Sequence, residues 1–237
     1  MSPNDGNVGV NKLTTAVIFD MDGVLIDSQP LHYEIDIQVL KKCGYPAELS
    51  TVVPYTGMGN PDRWPKYKTE LNLSEEPERL IEMAEEAMRE IFSRTELVAI
   101  NGVSILIDGI KAMGAGCGVA SSSSNELIEL VLGQIGLKEK FDFVISGEDV
   151  NESKPAPDIY LKASEKAGLP PEACIAIEDA PAGILAAKNA GLTCIAFKNP
   201  NTLGQDFTHA DYTISQFDEA FPIIKTLVFR AMLGGLS

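Results

Sequence analysis

The sequence predicts an α/β fold: a parallel sheet covered by helices on both faces, with a block of helices inserted after the first strand. Three observations predict it. Short apolar runs alternate with stretches of helix-period apolar spacing along most of the 237 residues, the pattern of parallel strands joined by crossover helices. From about residue 28 to residue 95 that rhythm breaks, and helical patterns follow one another with no convincing strand. Finally, the first apolar run, Ala16-Val17-Ile18-Phe19, ends in Asp20-Met21-Asp22-Gly23. A buried strand has no structural reason to end in two acids and a glycine, so this end belongs to a site.

Taken in order, residues 1–12 read as a flexible leader. Apolar runs predict strands over 15–19, 116–120, 142–145, 174–177, 193–197 and 212–214. Helical spacing predicts crossovers over 104–113, 125–135, 158–167 and 182–190. Inside the helical block, 31–43 is amphipathic and stops at Gly44, a residue that readily ends helices. The segment 62–71 has helical spacing, and 77–94 is long, acidic and rich in Ala, Met and Glu. A block of this size reads as an inserted cap with joints near residue 28 and near 98–103. The expected division is a core of 13–28 plus 97–237 and a helical cap of 29–96.

Composition narrows the partners. Hydrophobic content of 45% and charged content of 22% suit a globular protein with a sizeable core. A net charge of −15 argues against nonspecific binding to nucleic acid or to an anionic membrane. It does not exclude an anionic substrate, because a bound cation and a local lysine can invert the field in one cleft. The four cysteines (Cys43, Cys117, Cys174 and Cys194) are widely spaced and form no CxxC pair, so they read as reduced thiols. No signal-peptide pattern and no run of 18 apolar residues is present. A cytoplasmic location is the expectation.

The ends of four successive apolar runs carry the chemistry. Asp20 and Asp22 are two residues apart and so face one side of a strand. The run ending at Ala120 is followed by Ser121-Ser122-Ser123-Ser124-Asn125, that ending at Ile145 by Ser153-Lys154-Pro155, and that ending at Ile177 by Glu178-Asp179. In an open parallel sheet ligands bind beyond the carboxyl ends of the strands, so these groups can share one crevice. Ser121 and Ser122, with the backbone amides before a helix, can hold phosphoryl oxygens. Lys154 can neutralise charge. Asp20, Glu178 and Asp179 offer oxygen ligands suited to Mg²⁺. Asp20 is placed to attack phosphorus and form an aspartyl-phosphate. Asp22 is placed to act as acid toward the leaving oxygen and then as base toward water. Taken singly each group has a plainer reading: a turn at Asp20–Gly23, helix caps at Glu178, Asp179 and Asn125, a surface lysine at Lys154. The four together favour the site.

The segments FDMDGVLIDS, VASSSSN, ESKPAPDIY and IEDAPAGILAAKNAG, in that order, resemble the motifs of the haloacid dehalogenase superfamily, and within it the β-phosphoglucomutase-like phosphatases. The resemblance covers nearly all of the chain after about residue 14. It implies a doubly wound core with a small helical cap inserted after the first motif. It maps Asp20 to the nucleophile, Asp22 to the general acid/base, and Ser121 and Lys154 to the phosphate-binding pair. The implied magnesium shell is Asp20, the Asp22 main-chain carbonyl, Glu178 and Asp179. His32 falls at the implied hinge between core and cap, with simple packing as its other reading. The architecture often works as a monomer, and a monomer is expected.

One departure from the pattern bears on activity. The sugar-phosphate mutases of this group carry a lysine just before the cap-loop glycine, an arginine four positions after that lysine, and a lysine just before the asparagine of the second motif. Here Thr56 precedes Gly57, Asn60 takes the arginine position, and Ser124 precedes Asn125. Losing three cations removes charge-assisted contacts to a second phosphate. The reading is therefore a Mg²⁺-dependent phosphatase acting on a small phosphorylated metabolite, with Ser122, Asn125, His32, Thr56, Gly57, Asn60 and Arg63 on the substrate side. The alternatives are a β-phosphoglucomutase, in which Arg63 and Lys66 replace the lost cations, and a silent binding protein on the same scaffold. Trp64 and Tyr67 are expected to pack the cap interior.

Overall fold

The computed structural model describes residues 13–56, 58–202 and 205–234. The leader expected over 1–12, and Gly57, lie outside the described residues. All six predicted strands form: β1 (Ala16–Phe19), β2 (Gly116–Ser121), β3 (Phe143–Ser146), β4 (Cys174–Glu178), β5 (Thr193–Phe197) and β6 (Tyr212–Ile214). They make one sheet in the order β3-β2-β1-β4-β5-β6, and every pair is parallel.

Alternation along each strand divides the interior into two apolar layers. Val17 and Phe19 of β1 face one layer with Ile175 and Ile177 of β4, and Ala16 and Ile18 face the other with Cys174 and Ala176. The first layer is covered by α5 (Val103–Ala112), α6 (Asn125–Gln134) and α9 (Phe217–Gly234), and the second by α7 (Asp158–Ala167) and α8 (Pro181–Asn189). This is the doubly wound arrangement. Burial on both faces explains why the strands read as continuous apolar runs. Gly118 of β2 leaves room for the ring of its cross-strand partner Phe143 on β3: a Cβ there would sit 2.1 Å from that ring.

Between β1 and α5 the described residues hold four α-helices and no strand: α1 (Gln29–Lys42), α2 (Leu49–Val52), α3 (Asn60–Leu71) and α4 (Pro77–Arg94). The short α2 and the 3₁₀ turn Val53–Tyr55 that follows it were not predicted. α4 buries the stripe Leu80, Ala84, Ala87 and Ile91 and leaves its acids in solvent, and it packs against α1 and α3. Trp64 and Tyr67 are fully buried in this cap. The chain leaves the core and returns to it at one place, where Ile26 and Ala99 form an antiparallel bridge and the Ile100 N–H donates to the Leu25 carbonyl at 2.8 Å. The last helix, α9, also went unpredicted. Pro222 interrupts its helical pattern early, yet the helix runs through it. All four cysteines are free thiols. Among the described residues no helix is long and apolar enough to cross a membrane.

Candidate active site

The strand order reverses between β1 and β4, and the two acidic motifs meet there. Beyond β1 the Asp20 N–H donates to the Ile177 carbonyl of β4 at 2.9 Å, so Asp20 stands beside the end of the strand that carries Glu178 and Asp179. Carboxylate oxygens of Asp20, Glu178 and Asp179 all lie within 4.8 Å of one another, and the three residues are buried. Two glycines make room for them. Gly23 has a φ of +80°, and a Cβ there would sit 2.1 Å from Asp179 Oδ2; a Cβ on Gly183 would sit 1.9 Å from Glu178 Oε1.

Lys154 reaches in from the loop before α7. Its side chain is 9% exposed, and Nζ donates to Asp20 Oδ1 and Glu178 Oε1, both at 2.6 Å, and to the Ala120 carbonyl at 3.1 Å. Glu178 is held further by the Tyr160 hydroxyl at 2.8 Å and by the Asp179 N–H at 3.1 Å. The Thr202 hydroxyl donates to Asp179 Oδ2 at 3.1 Å, and Gln205 Nε2 to the Asp179 carbonyl at 3.1 Å. At the end of β2, Ser121 is buried and its Oγ accepts the Ser123 N–H at 3.1 Å, which leaves the Ser121 hydroxyl proton to donate elsewhere.

The Asp22 carboxylate takes no part in the three-acid cluster. His32 Nε2 lies 3.3 Å from its Oδ1, and the Ser123 hydroxyl donates to Oδ2 at 3.1 Å. The two acids of the first motif consequently differ. Burial, with the charges of Glu178, Asp22 and Asp179, raises Asp20 well above the usual carboxylate range against the pull of Lys154. Burial opposes ionisation of Asp22 too, but His32, Ser28 and Ser123 outweigh it and hold Asp22 below that range. Burial and the neighbouring Glu178 push Asp179 up to about 8. Burial works against the charge on Lys154, yet Asp20 and Glu178 overcome it and raise the ammonium above its ordinary range. These directions belong to the site without a cation and favour a proton on Asp20 over one on Asp22; a cation held by Asp20, Glu178 and Asp179 would favour the Asp20 carboxylate.

Residues assigned to the substrate side are placed less uniformly. Ser122 is exposed on the loop after β2, with its carbonyl 2.4 Å from where a Gly147 Cβ would be. Asn125 donates through its N–H and its amide to Glu148 Oε2 at 3.1 and 3.0 Å, and Ser124, not Asn125, caps α6 by accepting the Leu127 N–H. Thr56 Oγ1 is 2.7 Å from the Tyr33 hydroxyl and donates to the Val53 carbonyl at 2.7 Å. Asn60 Oδ1 accepts from Arg63 Nη2 at 2.6 Å. Arg63 is 8% exposed and is spent inside the cap, on Asn60, on the Met58 carbonyl at 3.0 Å and on Asp36 at 3.3 Å. Its guanidinium thus faces three partners within the cap. Ser123, Tyr160, Thr202 and Gln205 were not anticipated. Ser123 carried a signal as part of the serine run, and Tyr160 as the last residue of the segment ESKPAPDIY.

A family model described as haloacid dehalogenase-like hydrolase matches residues 17–197. The chain belongs to that family. It is 31% identical over 210 residues to hexitol phosphatase B of Escherichia coli K12, covering 86% of this chain and 93% of that protein. It is also 31% identical over 182 residues to the fructose-1-phosphate phosphatase YqaB of the same strain, covering 76% and 94%. Among solved structures, CbbY of Rhodobacter sphaeroides in complex with xylulose-(1,5)bisphosphate superposes with a TM-score of 0.72 at 26% identity, covering 86% of this chain and 95% of that one. A family IA, variant 3 hydrolase from Entamoeba histolytica superposes with a TM-score of 0.76 at 27% identity, covering 86% and 94%.

Proposed function

We propose that this hydrolase is a Mg²⁺-dependent phosphatase of a small phosphorylated metabolite, a sugar phosphate or polyol phosphate, working through an aspartyl-phosphate on Asp20. The carrying observation is the buried junction of Asp20, Lys154, Glu178 and Asp179 at the ends of β1 and β4. Three close carboxylates with hard oxygen donors and a single lysine suit a divalent cation. Asp20, Glu178 and Asp179 would hold it, and it would screen charge between the nucleophile and the phosphate.

The protein's own groups divide the work. A carboxylate oxygen of Asp20 attacks phosphorus as the bond to the leaving oxygen breaks. Asp22, which must enter the cycle protonated, gives that oxygen its proton. Lys154 and the Ser121 hydroxyl hold phosphoryl oxygens during the transfer. In the second half Asp22 takes a proton from water, the water oxygen attacks phosphorus, and the bond to Asp20 breaks to release inorganic phosphate. His32 and Ser123 keep the Asp22 carboxyl aimed. In this division of labour the core is 13–28 plus 97–237, 29–96 is the cap that closes over the site, and the enzyme is a cytoplasmic monomer.

A mutase must grip a second phosphate. Arg63 is occupied by Asp36 and the cap loop, and Lys66 lies 3.9 Å from Glu70 and over the Tyr55 ring. Their engagement supports the phosphatase over the mutase, and the names of the hexitol and fructose-1-phosphate phosphatases support the substrate class. The test is phosphate release, with and without Mg²⁺, over sugar and polyol phosphates, including β-glucose 1-phosphate with and without glucose 1,6-bisphosphate. Mg²⁺-dependent release from a narrow group is expected. Primer-dependent glucose 6-phosphate without phosphate release would overturn the reading.

A further inference from the structure

The cap interior holds an ion pair that the proposed chemistry does not use. Asp36 on α1 and Arg63 on α3 have side chains 4% and 10% exposed, with Nε 3.3 Å from Oδ2. The Tyr67 hydroxyl donates to the same Oδ2 at 2.9 Å. A buried pair of this kind is a weak stabiliser, because desolvating both charges offsets most of their attraction, and apolar residues of similar volume often do as well. What apolar residues cannot do is hold polar groups in place. Arg63 does so twice. Its Nη1 donates to the Met58 carbonyl at 3.0 Å and its Nη2 to Asn60 Oδ1 at 2.6 Å.

Met58 belongs to the loop that leads into α3, and Asn60 is the first residue of that helix. The partner of the guanidinium belongs to α1, which grips the preceding turn as well, through Tyr33 and Thr56 at 2.7 Å. α1 is itself referenced to the core. His32, one turn before Asp36 and on the same face of the helix, lies 3.3 Å from Asp22 Oδ1. A planar fork with fixed donor directions is suited to holding two acceptors at once, which a lysine ammonium on a flexible stem is not.

We propose that the buried Arg63–Asp36 pair is a strut that fixes the cap loop 58–60 against α1, making both residues positioning residues for substrate selection. The inference rests on the phosphatase reading and deepens it: the loop selects the substrate, and the strut sets where the loop stands. It touches neither the phosphate nor the metal site.

The variants are Arg63→Lys, which keeps the charge and loses the fork, Asp36→Asn, which keeps an acceptor for Tyr67, and the double variant. Each is assayed on the best sugar or polyol phosphate and on phenyl phosphate, which carries no sugar or polyol hydroxyls for the loop to select. Backbone hydrogen exchange over 56–62 is followed without substrate. The expected result is a KM for the larger substrate raised about tenfold, the loss of one directional charged contact. Turnover changes by less than about twofold, and kinetics on phenyl phosphate are unchanged. Exchange in the loop is faster in both single variants, and the double variant is no worse than the weaker single one. Equal losses on both substrates, or a lowered melting temperature with no change in KM or in loop exchange, would overturn the strut. Should a variant unfold, the other single variant carries the same test. Failure of the wild-type protein to release phosphate from any substrate would overturn the phosphatase reading instead, and loop exchange would still report on the strut.

Discussion

If the acid cluster holds Mg²⁺ as proposed, Asp179 makes that binding pH-dependent. Burial and Glu178 hold its carboxyl protonated up to about 8, and a cation needs the carboxylate. Binding therefore expels a proton. A group of that pKa weakens apparent affinity about a hundredfold at pH 6 and about twofold at pH 8. The Kd for Mg²⁺ should then tighten about fiftyfold between the two, more steeply still if Asp20, which is also raised, loses a proton in the same step. Titration calorimetry in two buffers of different ionisation enthalpy measures both quantities. About one proton should be released per Mg²⁺ at pH 6 to 7 and about half that at pH 8. Stability follows the same linkage. The unfolded chain loses this proton near 3.8 while the folded chain keeps it to about 8. Between those values the folded state binds more protons, so metal-free stability from this group falls as pH rises, by about 1.4 kcal/mol per unit. Saturating Mg²⁺ should remove that fall. A Kd that is flat from pH 6 to 8, with no proton release, would refute the argument.

Three further outcomes are expected. Asp20→Asn should lower turnover at least about a thousandfold while circular dichroism and the melting temperature hold, since the shape is kept and a buried acid is replaced by a neutral amide; substantial activity would rule out the covalent route. His32→Asn removes a hydrogen bond and a charge that hold Asp22 down, so the Asp22 limb of the kcat/KM profile should move to higher pH, and an unmoved limb would detach His32 from Asp22. Gly23→Ala forces a side chain into a left-handed backbone, at about 1–2 kcal/mol, and drives a Cβ to 2.1 Å from Asp179 Oδ2. It should weaken Mg²⁺ binding about tenfold or more with helix content unchanged, and native affinity in that variant would show that Asp179 does not need the room.

Much of this was legible in the chain. Strands buried on both faces write themselves as apolar runs, which is why 193–197 matched to the residue and 116–120 fell one short, at Ser121; the edge strand 212–214 also matched, though only Ile214 of its three residues is buried. The acids, Ser121 and Lys154 stand at strand ends or on the loops just beyond, so their convergence follows from a parallel sheet. The less legible parts depend on long-range partners. Ser123 earns its place from a contact with Asp22, 101 residues away. Thr202 and Gln205 lie on a loop whose sequence resembles any polar loop, and their value comes from reaching Asp179. The engagement of Arg63 is hidden for the same reason. A cation near a substrate loop looks available until its buried acid, Asp36, on another helix, is seen. Helix α9 was obscured locally, by Pro222.

The junction at Ile26 and Ala99 has a consequence for how such a chain can vary. Because departure and return are neighbours, the sheet experiences everything from Asp27 to Val98 as a closed loop. The entropy of closing a loop rises only logarithmically with its length, and strands β1 and β2 keep their register whatever lies between them. An insert here can be lengthened, shortened or exchanged with little effect on the folding of the sheet. The part of the molecule that would discriminate among substrates is thus free to diverge, while the part that would break the phosphate ester stays as it is.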